Sequence, residues 1–183
     1  MHDPKRASLQ TKSVIVKILN TLSNLSKSHR GFIISTLVLY LSLRGRYTFK
    51  GLSRSGSYSE KMYRLWFEKP FDFLWFNISL CEQYLSKDLL LVFDPSFLPK
   101  SGNHTPNIGK FYSGCLGKAV KGMELGGLGV VDLEQHTAFS LEAIPTPSHS
   151  VLKSEGKSIV NHYASAIIDR ANRIQHLSTY LCS

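Results

Sequence analysis

The sequence predicts a mixed α/β protein of the α+β kind, in which a helical N-terminal part is followed by strands and one further helix. Apolar residues recur at helical spacing through residues 1–86, whereas from residue 87 onward they form short continuous runs bounded by turns. Of the 183 residues, 43% are hydrophobic, which is enough to bury a core. The predicted domains are therefore 1–86 and 87–183.

The positive charge of the chain is confined to its first part. Residues 1–70 contain 13 Lys and Arg against 3 Asp and Glu, while residues 71–183 contain 9 against 10. A basic region beside a neutral one indicates a polyanionic partner, of which nucleic acid is the commonest. The charge alone leaves two alternatives open, namely a solvated positive surface and a protein that lies on a membrane surface.

Two helices are expected at the start of the chain. Residues 11–26 carry apolar side chains at helical spacing with lysines and serines between them, which is typical of an amphipathic helix. Residues 31–43 are apolar on nearly every side, but they fall short of the roughly 20 residues that a membrane span needs. A buried helix is therefore expected there, and no membrane partner.

A helix-turn-helix outline follows the second helix. Thr48 can cap a short helix that stops at Gly56, and Ser57 with Glu60 forms a capping-box pattern for the next helix, which Pro70 ends. Two short helices around a glycine turn, the second one basic and aromatic, resemble a DNA-binding motif, although many helical hairpins share this outline. The candidate DNA contacts in this region are Arg54, Lys61 and Arg64.

Strands are predicted after a further apolar helix over residues 71–85. Leu89 to Asp94 is an apolar run typical of a buried strand, and residues 128–133 and 137–144 are expected to form an antiparallel hairpin. Residues 154–176 have the pattern of one amphipathic helix. The glycine-rich region before the hairpin lacks the spacing of a phosphate loop, so its glycines are expected to permit turns or close packing. The lysines there that could meet phosphates are Lys100, Lys110, Lys118 and Lys121.

Asp94 is the candidate catalytic residue. It ends an apolar run, so its carboxylate is expected at the carboxyl edge of a sheet, where an ionised group needs a partner or a metal ion. The alternative is an ordinary Asp-Pro turn. The three cysteines form no CxxC pair, so neither a disulfide framework nor a zinc site is expected, and the cytoplasm is the expected location.

Four longer stretches carry a family pattern: GSYSEKMYRLWFEKPFDF, LLLVFDPSFLPKSGNHT, GKFYSGCLGKAVKGMELGGLGVVD and HTAFSLEAIPTP. Together they resemble bacterial insertion-sequence transposases of the DDE type, which implies a helical N-terminal domain before an RNase H-like catalytic domain. In such enzymes two aspartates and a glutamate hold two Mg²⁺ or Mn²⁺ ions that activate water or a 3′-hydroxyl against a phosphodiester. The resemblance implies that Asp94 is the first of these metal ligands, that double-stranded DNA of transposon ends is the partner, and that the protein is associated with the nucleoid.

The sequence departs from this family at two places. Pro145 stands where a glutamine is expected, and the second aspartate is expected on a strand beyond Ser183. Asp169 and Glu155 belong to the helix predicted over 154–176, so neither can replace a ligand at a strand end. The chain is thus expected to be the N-terminal part of a transposase that binds DNA without cutting it. The alternative is a non-catalytic or regulatory DNA-binding protein derived from a transposase.

The resemblance also implies that the strand bearing the first aspartate is central in its sheet. Without the strand that would follow the last helix, one edge of Leu89 to Asp94 is expected to remain unpaired. The side chains of residues 89–93 carry no charge, and an apolar edge of this kind is a template for another chain, so self-association is expected.

Overall fold

The computed structural model describes residues 4–22, 24–102 and 105–174, with side chains from residue 9 onward. The chain divides between Leu80 and Cys81 into a helical unit and a sheet unit. Helices followed by an antiparallel sheet confirm the predicted α+β class. The division falls ahead of residue 86, the end of the predicted helical domain, and Ser86 is hydrogen-bonded to Asp132 within the sheet unit.

Five helices begin the chain, and a serine sets the start of the second one. The Ser26 hydroxyl accepts a hydrogen bond from the His29 N–H at 3.2 Å, and this cap marks the start of the second helix. The first helix ends at Thr21, whereas the sequence predicted that it continues to residue 26. The five helices are α1 (Pro4–Thr21), α2 (Lys27–Ser42), α3 (Phe49–Ser55), α4 (Glu60–Phe67) and α5 (Phe73–Cys81).

Aromatic rings form much of the core of the helical unit. Phe32 of α2 lies at its centre, with ring centroids of Tyr58 at 5.4 Å, Tyr63 at 5.7 Å and Trp66 at 5.5 Å. Each such pair contributes about 0.5–1.5 kcal/mol beyond the area that it buries. Packing of α2 against α4 therefore positions the helical hairpin formed by α3 and α4.

The two caps of this hairpin differ in how well the sequence predicts them. The Thr48 hydroxyl accepts from the Gly51 N–H at 3.0 Å, which confirms the predicted cap of α3. The predicted capping box is wrong, because Ser59 rather than Ser57 caps α4 and accepts from the Met62 N–H at 3.3 Å. Tyr58 packs between the rings of the core, so the chain enters the helix only after it.

The sheet unit is built around one long strand, β3, with which the other three strands pair antiparallel. β1 lies along one side of β3, while β2 and β4 share the other side. The predicted hairpin over 128–133 and 137–144 is confirmed as part of β3 and β4. The strands are β1 (Leu89–Pro99), β2 (Gly109–Ser113), β3 (Lys118–Asp132) and β4 (Thr137–Pro145).

Both β1 and β3 are longer than the apolar runs predicted. β1 continues past Asp94 through Pro95 to Pro99, and proline is tolerated because β1 pairs only with β3 among the described residues. β3 begins inside the glycine-rich region. Its glycines belong to the strand because aromatic rings of β1 pack directly on them: a Cβ at Gly122 would lie 2.5 Å from the ring of Phe97.

Two helices follow the sheet where one was predicted over 154–176. They are α6 (His149–Ser154) and α7 (Ile159–Ile174), and Gly156, with φ of 66°, lies between them. Glu155 therefore ends α6 and does not begin the long helix, while Asp169 does lie inside α7. The predicted end at His176 lies outside the described residues. Among the described helices, none combines the length and the apolar character that crossing a membrane requires.

Candidate functional site

Asp94 lies in the middle of β1, so its predicted position at the carboxyl end of a strand is wrong. Its register partner is Gly127 of β3, which in turn is paired with Ala143 of β4. The side chain of Asp94 is exposed, whereas the adjacent Phe93 points to the other face and packs against Tyr163 of α7 at 5.4 Å. Asp94 is thus presented on the open face of the sheet, on a floor of small residues.

The side chains and backbone around Asp94 supply few of the ligands that a magnesium site needs. Mg²⁺ requires oxygen ligands in a near-octahedral arrangement. The Ser96 hydroxyl lies 3.5 Å from Oδ2 of the carboxylate, while the neighbouring strands contribute Gly127 and Ala143. Within the described ranges, no group of three or more His, Cys, Asp or Glu is placed to hold a metal ion. The described residues around Asp94 therefore do not fit a two-ion site.

Arg54 and Lys61 are both exposed, in the last turn of α3 and the first turn of α4. Arg64 is in a different situation, because its guanidinium pairs with Glu60 at 2.6 Å and lies 4.8 Å from the ring centroid of Phe49. Arg64 therefore links α3 to α4. Arg54 and Lys61 are thus exposed cations of this hairpin, as is Lys50 of α3, and a polyanion can reach all three.

The predicted lysines of the sheet unit fall at two places. Lys100 is exposed just after β1, whereas Lys118 and Lys121 belong to β3. Lys121 is directly opposite Lys110 of β2, so two ammonium groups share one face of this hairpin. Both lysines are exposed, so this pair lies on the surface of the sheet unit.

A second aspartate, Asp132, lies at the carboxyl end of a strand, β3, which is the kind of position that the sequence pattern predicted for Asp94. It is fully buried at the end of β3, and burial alone would raise its pKa. Hydrogen bonds outweigh this effect and hold the pKa of Asp132 below its ordinary value: the Ser86 N–H and hydroxyl donate at 2.7 Å and the Gln135 N–H at 2.8 Å. The sequence signal was the run LGVVD, which ends in aspartate just as LLLVFD does.

Two further polar contacts, which sequence reasoning did not identify, fix α7 to the sheet. The Tyr163 hydroxyl donates to Glu124 of β3, and Arg170 pairs with Glu142 of β4 at 2.9 Å. Burial and the hydrogen bond to Glu124 raise the pKa of Tyr163, so the phenol stays protonated. The partners are far apart in sequence, so no local pattern could have indicated these pairs.

We expect ionised Asp132 to make the stability of the sheet unit depend on acid. Its pKa is lowered in the folded state, so its contribution is present above the unfolded pKa of about 4 and is lost as pH falls through the lowered value. Asp132→Asn should therefore lower the midpoint of urea unfolding at neutral pH. It should also make this midpoint fall less as the pH is lowered. Asp169→Asn, which removes an exposed carboxylate, is the matched control. Equal acid dependence of the wild type and Asp132→Asn would contradict this role.

The structure thus presents an exposed basic helical hairpin, a lysine-bearing β-hairpin and an open sheet face that carries Asp94. Comparison with protein-family models, curated proteins and solved structures finds no match for this chain.

Proposed function

We propose that this chain is a DNA-binding protein of the DDE-transposase type, whose helical unit binds the duplex DNA of transposon ends. The observation that carries the proposal is the pair of exposed cations, Arg54 and Lys61, on consecutive helices of the α3–α4 hairpin. They belong to a region with 13 basic and 3 acidic residues, and phosphate contacts depend on such an excess. The proposal includes a location in the bacterial cytoplasm, at the nucleoid.

The sheet unit supports the proposed relation to DDE transposases. An exposed aspartate on a strand flanked by an antiparallel hairpin, followed by a helix that packs on the sheet, agrees with the first half of an RNase H-like domain. Asp94 would hold Mg²⁺ or Mn²⁺ only together with further carboxylates. In the proposal the 183-residue chain alone therefore binds DNA without cutting it, as a non-catalytic or regulatory DNA-binding protein would.

The test is the salt dependence of binding to labelled duplex DNA, measured by fluorescence anisotropy. Log K should fall linearly with log salt, by about 0.9 for each phosphate neutralised. The double variant Arg54→Gln/Lys61→Gln should lower this slope by about 1.8 and weaken binding at least about tenfold at moderate salt. Both side chains are exposed, so the variant should remain folded.

Lys153→Gln, at an exposed lysine of α6, is the control for the loss of a positive charge outside both basic hairpins. Binding that is insensitive to salt, or equally weakened by this control, would contradict the proposal. In the same preparation, addition of Mg²⁺ or Mn²⁺ should produce no nicking. Nicking that disappears in Asp94→Ala would instead show that the chain completes a metal site, for example in an oligomer.

A further inference from the structure

A cavity of about 250 Å³ opens between α2, α4 and α5 in the helical unit. Pockets that bind small molecules are mostly apolar and have volumes from about 300 Å³ upward. This cavity is close to that lower limit, so it suits a small ligand of one or two rings. Planar rings offset-stack or meet edge to face at centroid distances of about 4.5–7 Å. Most of the wall is aromatic, formed by Phe32, Tyr40, Trp66, Phe67, Phe71, Phe73 and Phe76.

A buried hydroxyl in this wall lacks a hydrogen-bond partner. Thr36 of α2 is only 4% exposed, and its Oγ1 has no partner among the described residues. Buried polar groups without partners are rare in folded proteins and call for an explanation. Because Thr36 lines the cavity, a polar atom of a bound ligand would supply the missing partner.

The charge of the cavity favours one sign of ligand. Of the described residues that line it, Lys69 is the one with a permanent charge, and its Nζ lies 3.9 Å from the ring centroid of Trp66. The imidazole of His29 also lines the cavity, and burial together with the nearby Lys69 charge lowers its pKa, so it is neutral at pH 7. Lys69 would repel a cationic ligand at this aromatic face, whereas an anionic ligand would form an ion pair with Lys69.

We propose that this aromatic cavity binds a small planar aromatic carboxylate, with a polar ring substituent hydrogen-bonded to Thr36 and the carboxylate paired with Lys69. The apolar walls hold the ring, Thr36 selects the substituent, and Lys69 selects the negative charge. The site lies within the helical unit and does not depend on the proposed binding of DNA.

The experiment uses calorimetric titration of the full chain with four probes that share one benzene ring. 4-Hydroxyphenylacetate carries both the hydroxyl and the carboxylate, tyrosol replaces the carboxylate with a neutral alcohol, tyramine replaces it with a cation, and phenylacetate lacks the ring hydroxyl. 4-Hydroxyphenylacetate should bind most tightly and tyramine most weakly, with about a tenfold difference, which corresponds to about 1.4 kcal/mol. Equal affinity for 4-hydroxyphenylacetate, tyrosol and tyramine would overturn the proposal, as would the absence of binding at millimolar concentration.

Two variants assign the contacts separately. Lys69→Gln should remove the preference for 4-hydroxyphenylacetate over tyrosol, while Lys17→Gln, an exposed lysine of α1, should keep it. Thr36→Val should remove the preference over phenylacetate, and it should not lower the melting temperature because the lost hydroxyl has no partner. Unchanged preferences in both folded variants would overturn the assignment of these two residues.

Discussion

Replacing Gly126 by alanine is expected to lower the free energy of unfolding of the sheet unit by about 2–3 kcal/mol, as overpacking of a core does. A Cβ at this position would overlap the ring of Phe93. The same ring packs against Tyr163 of α7, with the two centroids 5.4 Å apart, so moving the ring away would disturb this contact. The clash would therefore separate α7 from the sheet or bend β1 away from β3.

The neighbouring glycine provides the control. A Cβ at Gly127 would lie 3.5 Å from the carbonyl oxygen of Asp94, an ordinary contact, so Gly127→Ala should be neutral or slightly stabilising. Urea unfolding of both variants, followed by circular dichroism, measures the difference. Phe93→Leu added to Gly126→Ala should recover part of the loss. Equal stability of the two alanine variants would show that the ring of Phe93 does not occupy this space.

Gly56→Ala is expected to destabilise the helical unit by about 3 kcal/mol. The added Cβ would overlap the Tyr63 hydroxyl and would lie 2.8 Å from the carbonyl oxygen of Leu52 and from a methyl group of Leu39. Tyr63 is fully buried, so neither side of this contact can relax easily. Because α3 and α4 meet here, the same variant should weaken DNA binding in proportion to the unfolded fraction.

Gly31→Ala is the matched control in the same unit. It lies inside α2 with open space around the added methyl, so alanine should stabilise the helix by about 0.5–1 kcal/mol. Tyr63→Phe removes the oxygen that would clash, and that hydroxyl has no partner among the described residues. Gly56→Ala should therefore be less damaging in the Tyr63→Phe background. A lower melting temperature for Gly31→Ala than for Gly56→Ala would contradict this account.

Local patterns predicted the helices and the β-hairpin well, because amphipathic periodicity and turn residues act over a few positions. They failed for the first half of β3, since glycines disfavour strands in isolation. What keeps them in the strand is the packing of Phe93 and Phe97, which lie about thirty residues earlier in the chain. Such non-local packing cannot be read from a short window of sequence.

The candidate site shows the same division between local and non-local information. The sequence placed Asp94 correctly on a strand, but the prediction that this strand is buried is wrong, since Leu90 and Val92 are exposed. The predicted strand also stopped before Pro95, because a proline interrupts most strands. An edge position removes this penalty, and only the sheet topology reveals that β1 has a single partner strand among the described residues. Asp132 fits the same pattern, yet the hydrogen bonds from Ser86 and Gln135 explain its burial.

The two prolines of β1 limit how far another chain can extend this sheet. A neighbouring strand needs N–H donors along the free edge, and neither Pro95 nor Pro99 supplies one. A second chain can therefore pair continuously only beside Leu89 to Asp94, the first half of the strand. A strand added at this edge would therefore be held by the first half of β1 alone and would lose its pairing beyond Asp94.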